Sequence, residues 1–500
     1  MIIRKLRKDS LILVVTILTL LVLFLNASRQ LDRDYLWYDD AGQFFISQGL
    51  NHDSPPNAER QGLRQVIENN RDYNFDPGGF SVLLHFWSGI STNYLWLRVL
   101  SFVFFIGSVG SLLILGSYWK WPVVKTVCLS LVLFLSPFFI EVSTSIRAYS
   151  LEGFGTLLII LCIEHLKKNP SNWCFVAWSI LLAVLSTSRY SFILVSGIAI
   201  GFLFLLWFIG DRKKCVQKLF LICSIYIPTL ILIFYLSLQF QNASLKQLNY
   251  LPYLSNNLRP IIYIDNLVFV VGNLMLLLPY LFIQKLQFLR KYSTLFLFVV
   301  VVNFVFGLIS ILGYHPWDPY SIRCISMSIL SLVCFGIVFV EFISKNFRSR
   351  ASLVFISILI MGSVTGLFID NNRPSLDEIN AVSILDDLYL EKVDSVFIDF
   401  TESPSVRYAY EYGSLKESNG IYPNKFRFNR SPKHNKMLFR GNTEVKPREY
   451  LETINFSKFD LLISPVVEKH LSVQRWEKVK GASNFWVNKE SASKLIPDIN

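Results

Sequence analysis

Long apolar runs recur along the chain, and they constrain its fold more than any other feature of the sequence. Each run is close to the ~20 residues that a helix needs to cross a bilayer core of roughly 30 Å. The 500 residues are 52% hydrophobic and only 17% charged, whereas about a quarter of a soluble chain is charged. The sequence therefore predicts an α-helical polytopic membrane protein.

We predict eleven spanning helices. They cover residues 9–27, 94–117, 122–141, 148–166, 173–187, 190–209, 217–239, 260–283, 293–313, 321–343 and 351–369. No small-residue cleavage site follows the first run, so we expect a retained anchor and not a signal peptide. Alternate loops are rich in lysine and arginine, for example around Lys167 and Lys213, whereas the intervening loops mostly carry one basic residue. The positive-inside rule then places the N-terminus in the cytoplasm and the C-terminal tail outside.

Two long segments fall on the outer side of this topology. The loop 28–93 ends in "FSVLLHFWSGI" (80–90), which is too short to span and suits a helix in the membrane interface. The first domain is therefore residues 1–370, and the tail 371–500 forms a second, small α/β domain. In the tail we predict a capping box from Ser375 to Glu378, a helix closed by Gly413, and strands in "KVDSVFIDF", "FDLLISPVV" and "NFWVNK".

Composition and cysteine placement exclude several classes of protein. The net charge of +12 needs no nucleic acid to explain it, because basic residues collect in cytoplasmic loops. All seven cysteines lie in or beside apolar runs, so the sequence predicts no disulfide framework and no paired Cys-x-x-Cys metal site. No cofactor is required by any motif in the sequence.

Charged side chains at the outer ends of spans need a reason, because charges near the membrane are costly. They are Asp39, Asp40, Asp76, Arg147, Arg189, Asp318 and Arg323. A carboxylate can deprotonate an attacking hydroxyl, and arginines can hold a phosphate that leaves with growing negative charge. This pattern is the one needed to transfer a group from a membrane-embedded anionic carrier.

Several motifs in the first third of the chain resemble one family of membrane enzymes. "WYDDAGQFFISQGL" is similar to the W-x-D-E-A motif in the first outer loop of GT-C glycosyltransferases. "DPGGFSVLLHFWSGISTNYLWLRVLSFVFFIG" and "LSPFFIEVSTSIRAYSLEGFGTLL" resemble the next two motifs of that superfamily, and "STSRYSFIL" stands where a Thr-His-Tyr turn is frequent. The nearest group is the bacterial relatives of protein O-mannosyltransferases and of lipid A aminoarabinose transferases.

The resemblance implies inverting transfer of a monosaccharide from a polyprenyl-phosphate carrier. Asp39 matches the base of the family motif, and Asp40 replaces the usual glutamate. Arg147 and Tyr149 match the family's Arg-x-Tyr and would bind the donor phosphate. The sequence departs from the family at Ser145, where a glutamate is usual, and at Pro77-Gly78, where the family has Pro-Pro.

Each candidate residue also has a structural alternative. Asp39 and Asp40 could cap a helix, and adjacent helical residues point about 100° apart, so we expect one of them to be catalytic, Asp39, and the other structural. Arg147, Arg189 and Arg323 could snorkel to lipid headgroups instead of binding phosphate. Asp76 could simply be a turn residue, and Trp37 is a candidate platform for a sugar.

A metal site is the weakest of the hypotheses. His52, His85 and His315 fall on the outer side with the aspartates but lack tight ligand spacing. The sequence leaves a divalent metal open and assigns no ligands to one.

The resulting expectation is a multi-pass glycosyltransferase of a bacterial plasma (inner) membrane. Its donor would be a polyprenyl-phosphate-linked sugar, and its acceptor a lipid, glycan or protein hydroxyl. Two other classes stay open: a transporter or flippase for a lipid-linked substrate, and a non-catalytic scaffold for envelope assembly. The absence of internal repeats argues against the transporter.

Overall fold

A computed structural model describes the chain in separate stretches. The described residues are 21, 25, 31, 36, 38–51, 54–74, 76–134, 142–168, 170–210, 212–238, 287–311, 325–346, 394–398, 403–413, 415–416, 426–428, 455–463, 475–478 and 485–490. Three of the predicted spans, 260–283, 351–369 and all of 9–27 except two positions, lie outside them. So do the predicted capping box from Ser375 to Glu378 and the candidate residues Trp37 and Arg323.

The described part of the chain is mostly helical. The α-helices, in chain order, are α1 (Tyr38–Ser47), α2 (Leu63–Tyr73), α3 (Gly79–Ser88), α4 (Tyr94–Tyr118), α5 (Val123–Phe134), α6 (Tyr149–Leu166), α7 (Asn172–Leu185), α8 (Tyr190–Gly210), α9 (Arg212–Ile231), α10 (Ser293–Ile311), α11 (Ile325–Asn346) and α12 (Ser403–Glu411). A π-helical segment, Leu232–Leu238, continues α9, and 3-10 helices occupy Gln287–Tyr292 and Phe456–Lys458.

Among the described residues, four helices are long and apolar enough to cross a membrane. They are Tyr94–Tyr118, Tyr149–Leu166, Tyr190–Ile209 and Val216–Tyr235, and shorter apolar helices cover Asn172–Leu185 and Ile325–Glu341. Each of these six segments falls on a run that the sequence predicts to span. Large apolar side chains on them face outward, with Phe220 74% and Phe335 58% exposed. An exposed apolar surface of this kind is suited to lipid contact.

Small residues allow the long helices to approach closely. A Cβ at Gly107 of α4 would lie 2.9 Å from the ring of Phe154 in α6, and one at Gly155 would lie 2.6 Å from the ring of Phe192 in α8. At its N-terminus, α4 is capped by the Asn93 side chain, which accepts a hydrogen bond from Leu95 N–H at 2.9 Å. Small residues at helix contacts are typical of membrane bundles.

Basic side chains gather at one end of this bundle. Lys125 at the start of α5 and Lys291 before α10 pair with the two carboxylate oxygens of Glu341, at 2.9 and 3.0 Å. Glu341 lies 15 residues beyond Ser326 in α11, or about 22 Å along a helix that rises 1.5 Å per residue. The aspartates of the first loop gather at the other end, near Ser326.

The short helices α1, α2 and α3 form a layer at that other end. The predicted interfacial segment 80–90 is helical as α3, with Phe80 and Leu84 buried and Phe86 62% exposed. The indoles of Trp87 and Trp96 stack with ring centroids 4.4 Å apart, and each indole N–H donates to the other residue's carbonyl oxygen. This pair joins the end of α3 to the start of α4.

A small mixed sheet is formed by the tail. Its strands are β1 (Val396–Ile398), β2 (Phe426–Phe428), β3 (Leu461–Ile463), β4 (Trp476–Lys478) and β5 (Phe485–Asn488), in the order β2-β1-β3-β5-β4. β1 pairs in parallel with β2 and β3, whereas β5 is antiparallel to β3 and β4. The three predicted strands are β1, β3 and β5. Strands β2 and β4 were not predicted from the sequence.

Helix α12 connects the tail to the first loop. Tyr408 is fully buried, donates a hydrogen bond to the carbonyl oxygen of Thr92 at 2.8 Å, and packs edge-on against Phe44 of α1. As predicted, the helix is closed by Gly413, whose N–H donates to the carbonyl oxygen of Tyr408 at 2.9 Å. The tail therefore supports the face of α1 that carries Phe44.

Candidate functional site

The first turn of α1 places its two aspartates in different environments. The Asp39 side chain is 40% exposed, whereas Asp40 is buried. Asp40 Oδ1 accepts hydrogen bonds from the Ser145 hydroxyl at 2.9 Å and from Ile146 N–H at 3.0 Å. The separation follows from helix geometry, since adjacent side chains point about 100° apart.

The buried position of Asp40 raises the pKa of its carboxyl above the ordinary value. The neighbouring Arg98 guanidinium and the hydrogen bond from Ser145 oppose that rise in pKa without cancelling it. A carboxyl that anchors the segment before α6 and holds its proton more tightly than usual is suited to a structural role. Asp39 remains as the exposed carboxylate of the pair.

A network of buried amide side chains fixes the loop that carries Asp76. Asn70 of α2 donates to the carbonyl oxygen of Asp76 at 3.0 Å. The Asn74 amide donates to Gln43 of α1 at 3.1 Å, and Ser81 of α3 donates to Asn70 at 2.5 Å. Because all three short helices contribute to the network, the Asp76 backbone is held in one place relative to α1.

Gly79 brings this loop against the turn that precedes α8. Its N–H donates to the carbonyl oxygen of Thr187 at 3.1 Å, and an added Cβ would lie 2.0 Å from the Thr187 hydroxyl oxygen. Only glycine permits this approach, which sets Asp76 beside Arg189. The "DPGG" sequence therefore has a packing function in addition to making a turn.

Arg189 is held by two carboxylates. Its Nε lies 3.0 Å from Asp76 Oδ1 and its Nη1 lies 3.1 Å from Glu152 Oε2. Its side chain is 9% exposed, and its guanidinium carbon lies 4.9 Å from the centre of the Tyr149 ring. Burial by itself lowers the pKa of Arg189, but Asp76 and Glu152 outweigh it and raise that pKa, so the side chain stays charged.

Arg147 is less tightly engaged, although its side chain is only 15% exposed. Its Nη2 lies 3.6 Å from Asp76 Oδ2, and its Nη1 lies 4.0 Å from Asp39 Oδ1 and 3.5 Å from the Asp39 carbonyl oxygen. Its Nε is buried and has no hydrogen-bond partner among the described residues. The guanidinium thus keeps donor capacity while it lies between two carboxylates and near the Tyr149 ring.

Glu152 is a site residue that the sequence analysis missed. It lies one turn inside α6 and is fully buried. Its Oε1 accepts hydrogen bonds from Ser191 of α8 at 2.7 Å and Ser326 of α11 at 2.6 Å, so it joins three helices. The signal was an acidic residue within an apolar run, which is rare and typical of functional positions.

The structure therefore brings together most of the candidates named from the sequence. Asp39, Asp76, Arg147, Tyr149 and Arg189 form one connected cluster, and Asp40 lies behind Asp39. His85 lies apart from them, with Nδ1 2.8 Å from the carbonyl oxygen of Ser47. Within the described stretches, no group of three or more His, Cys, Asp or Glu side chains could hold a metal ion. The cluster pairs an exposed carboxylate that can accept a proton with a guanidinium that can hold an anion.

Comparison with known proteins adds no relative to this picture. No protein-family model matches the chain, and no curated protein matches its sequence. The part of the chain that the structure describes is mostly helical, with four helices suited to crossing a membrane and a small mixed sheet. Its most distinctive site is the cluster of carboxylates and arginines between α1, α6 and α8.

Proposed function

We propose that this protein is an integral-membrane glycosyltransferase of the GT-C type. It would move a monosaccharide from a polyprenyl-phosphate carrier to a hydroxyl of an envelope lipid, glycan or protein, with inversion. The observation that carries the proposal is the pairing of Asp39 with Arg147. The Asp39 carboxylate lies 4.0 Å from a guanidinium whose Nε has no hydrogen-bond partner among the described residues, and a carboxylate and a guanidinium are the two groups that the reaction needs.

The proposed chemistry assigns one task to each side chain. Asp39 takes the proton of the acceptor hydroxyl as its oxygen attacks the anomeric carbon. The bond from that carbon to the phosphate oxygen breaks, and the carrier phosphate leaves with additional negative charge. Arg147 holds that phosphate through charge-assisted hydrogen bonds. A phosphate leaving group needs no proton, so a second carboxyl acting as an acid is not required.

The proposal includes a membrane arrangement. The chain would cross a bacterial plasma membrane eleven times, with its N-terminus in the cytoplasm and its tail outside. The four long apolar helices support a membrane location. The basic residues at the Glu341 end and the aspartates at the Ser326 end support opposite sides for these two groups, since lysines favour the cytoplasmic face.

The test is substitution of the proposed base. Asp39→Asn keeps the size of the side chain and removes its ability to take a proton. We expect it to abolish release of polyprenyl phosphate from a panel of polyprenyl-phosphate monosaccharides incubated with purified protein and envelope extract. Binding of the donor should persist. Asp72→Asn on α2 is the matched control, because Asp72 is an exposed aspartate paired with its neighbour Arg71. Full transfer by Asp39→Asn would remove Asp39 from the mechanism.

One observation favours a second candidate, a transporter for a lipid-linked substrate. Pro228 lies inside α9 and a π-helical segment follows it, and interrupted helices are frequent at transporter binding sites. The same incubation separates the two functions. Release of free polyprenyl phosphate means transfer, and movement of the intact lipid across a vesicle membrane means transport.

A further inference from the structure

We infer that Glu152 is a positioning residue that sets the orientation of Arg147 through Arg189 and Asp76. The inference rests on the proposed function, in which Arg147 holds the donor phosphate, and it names the residues that prepare Arg147 for this role. Among the described residues, no hydrogen bond or ion pair joins Glu152 or its two serine partners to Asp39, so they would act only through Arg189, Asp76 and Arg147.

The location of Glu152 gives it a rigid base. It is fully buried, and its Oε1 is held by two serine hydroxyls from different helices, at 2.7 and 2.6 Å. Ser326 is in turn held by the Thr156 hydroxyl at 2.9 Å. A buried carboxylate is expensive unless all of its acceptor sites are satisfied. Here the two serine hydroxyls donate to Glu152 Oε1, and Glu152 Oε2 pairs with Arg189.

Negatively and positively charged side chains alternate from Glu152 to Asp39. Glu152 holds Arg189 at 3.1 Å, and Arg189 holds Asp76 at 3.0 Å. Asp76 then faces Arg147 at 3.6 Å, and Arg147 faces Asp39 at 4.0 Å. The contacts lengthen toward the exposed end, so the inner members are fixed and the outer guanidinium keeps its donors for a ligand.

Glu152 controls how the two carboxylate oxygens of Asp76 are divided between Arg189 and Arg147. While Glu152 holds one side of Arg189, Asp76 gives one oxygen to Arg189 and turns the other toward Arg147. Without the charge on Glu152, Arg189 would draw both Asp76 oxygens, because a bidentate pair is the strongest arrangement open to it. Arg147 would then lose one of its two neighbouring carboxylates and its fixed direction.

The sign of the effect distinguishes positioning from simple electrostatics. Glu152→Gln removes one negative charge from the cluster, so a purely electrostatic effect would strengthen anion binding. A positioning effect would weaken it, by about tenfold if the loss equals that typical of groups that orient metal-binding side chains. The two explanations therefore predict changes in opposite directions.

The experiment measures Arg147 directly as well as ligand binding. Purified full-length protein is treated with phenylglyoxal, and modification of Arg147 is measured by peptide mass spectrometry in the absence of any ligand. Binding of a polyprenyl phosphate is measured in parallel by native mass spectrometry. The variants are Glu152→Gln and Arg189→Lys, which keeps the positive charge but cannot bridge both carboxylates. Ser179→Ala in α7 is the matched control, since it removes one buried hydrogen bond, to the carbonyl oxygen of Phe175 at 2.7 Å, and leaves every charge and the Glu152 network in place.

We expect Glu152→Gln to increase Arg147 modification several-fold and to weaken polyprenyl-phosphate binding, with Ser179→Ala close to wild type. In Arg189→Lys the ammonium group cannot draw both Asp76 oxygens, so Asp76 stays with Arg147 and Arg147 modification should not increase. Unchanged Arg147 modification in a folded Glu152→Gln variant would overturn the inference, as would increased modification in Arg189→Lys or stronger polyprenyl-phosphate binding in Glu152→Gln. Increased modification in the Glu152→Gln variant of a protein that, even as wild type, binds no polyprenyl phosphate would support the positioning relation and refute the proposed function. The two ideas can thus fail separately.

Discussion

Replacement of Gly79 by alanine tests the contact that sets Asp76 beside Arg189. An added Cβ would lie 2.0 Å from the Thr187 hydroxyl oxygen, 2.5 Å from its Cβ and 2.7 Å from its carbonyl oxygen. All three distances are under 3.0 Å, a separation that real Cβ atoms essentially never show. Because one of the three atoms belongs to the backbone, rotation of the threonine side chain cannot remove the clash. The segment before α8 has to move.

The cost of this movement can be isolated with a second glycine. Overpacking by one methyl group costs about 1–3 kcal/mol, whereas alanine in place of a helical glycine gains about 0.5–1 kcal/mol. Gly42 in α1 has nothing within 4 Å of an added Cβ, so Gly42→Ala shows the gain alone. The difference in unfolding free energy between the two variants should therefore be about 1–3 kcal/mol.

Thermal unfolding of the detergent-purified variants, followed by tryptophan fluorescence, supplies the comparison. We expect Gly79→Ala to unfold at a lower temperature than wild type and Gly42→Ala at an equal or higher one. Gly79→Ala should also modify the site, because Thr187 lies two residues before Arg189 and would carry it away from Asp76. Equal stability of the two alanine variants would refute the packing of the Asp76 loop against the Thr187 turn.

Two further predictions concern Asp40 and the tail. Because burial raises the Asp40 pKa, the folded protein holds this proton more tightly than the unfolded chain, so stability should fall as pH rises from about 4 toward the raised pKa. Asp40→Asn imitates the protonated form and should flatten that part of the profile in unfolding midpoints measured across pH; an equally steep profile would contradict the assignment. Arg407 of α12 forms a buried ion pair with Glu411 at 3.0 Å, and Arg407→Met should cost about 3–5 kcal/mol because it leaves the carboxylate uncompensated. Arg407→Met combined with Glu411→Met should recover most of that loss in the same unfolding assay, and no recovery would show that the pair is not the cause.

Features that depend on neighbouring residues were predictable from the sequence. Helices such as α4 and α6 follow from apolar runs of suitable length, and the different environments of Asp39 and Asp40 follow from the turn of a helix. The glycine at 413 ends α12 where its conformational freedom predicts. Each of these inferences needs only a few consecutive residues.

Features that depend on distant partners were not predictable in the same way. Glu152 receives its hydrogen bonds from serines 39 and 174 residues away, and no local pattern pairs them. The missed strands β2 and β4 are the two edges of the sheet, and β4 is mainly exposed. Edge strands of three residues carry little apolar periodicity, so their sequences resemble loops.

The docking of the tail on α1 has a consequence for biosynthesis. Arg407 reaches the carbonyl oxygen of Asn51 across 356 residues of sequence. Ribosomes add about 5–20 residues per second, so α1 is made roughly 20–70 s before α12 can cover it. During that interval, Phe44 lacks its contact with Tyr408, and the helix that carries Asp39 is without its outer support. The order of synthesis therefore delays completion of the support for Asp39 until α12, at residues 403–411 of 500, has been made.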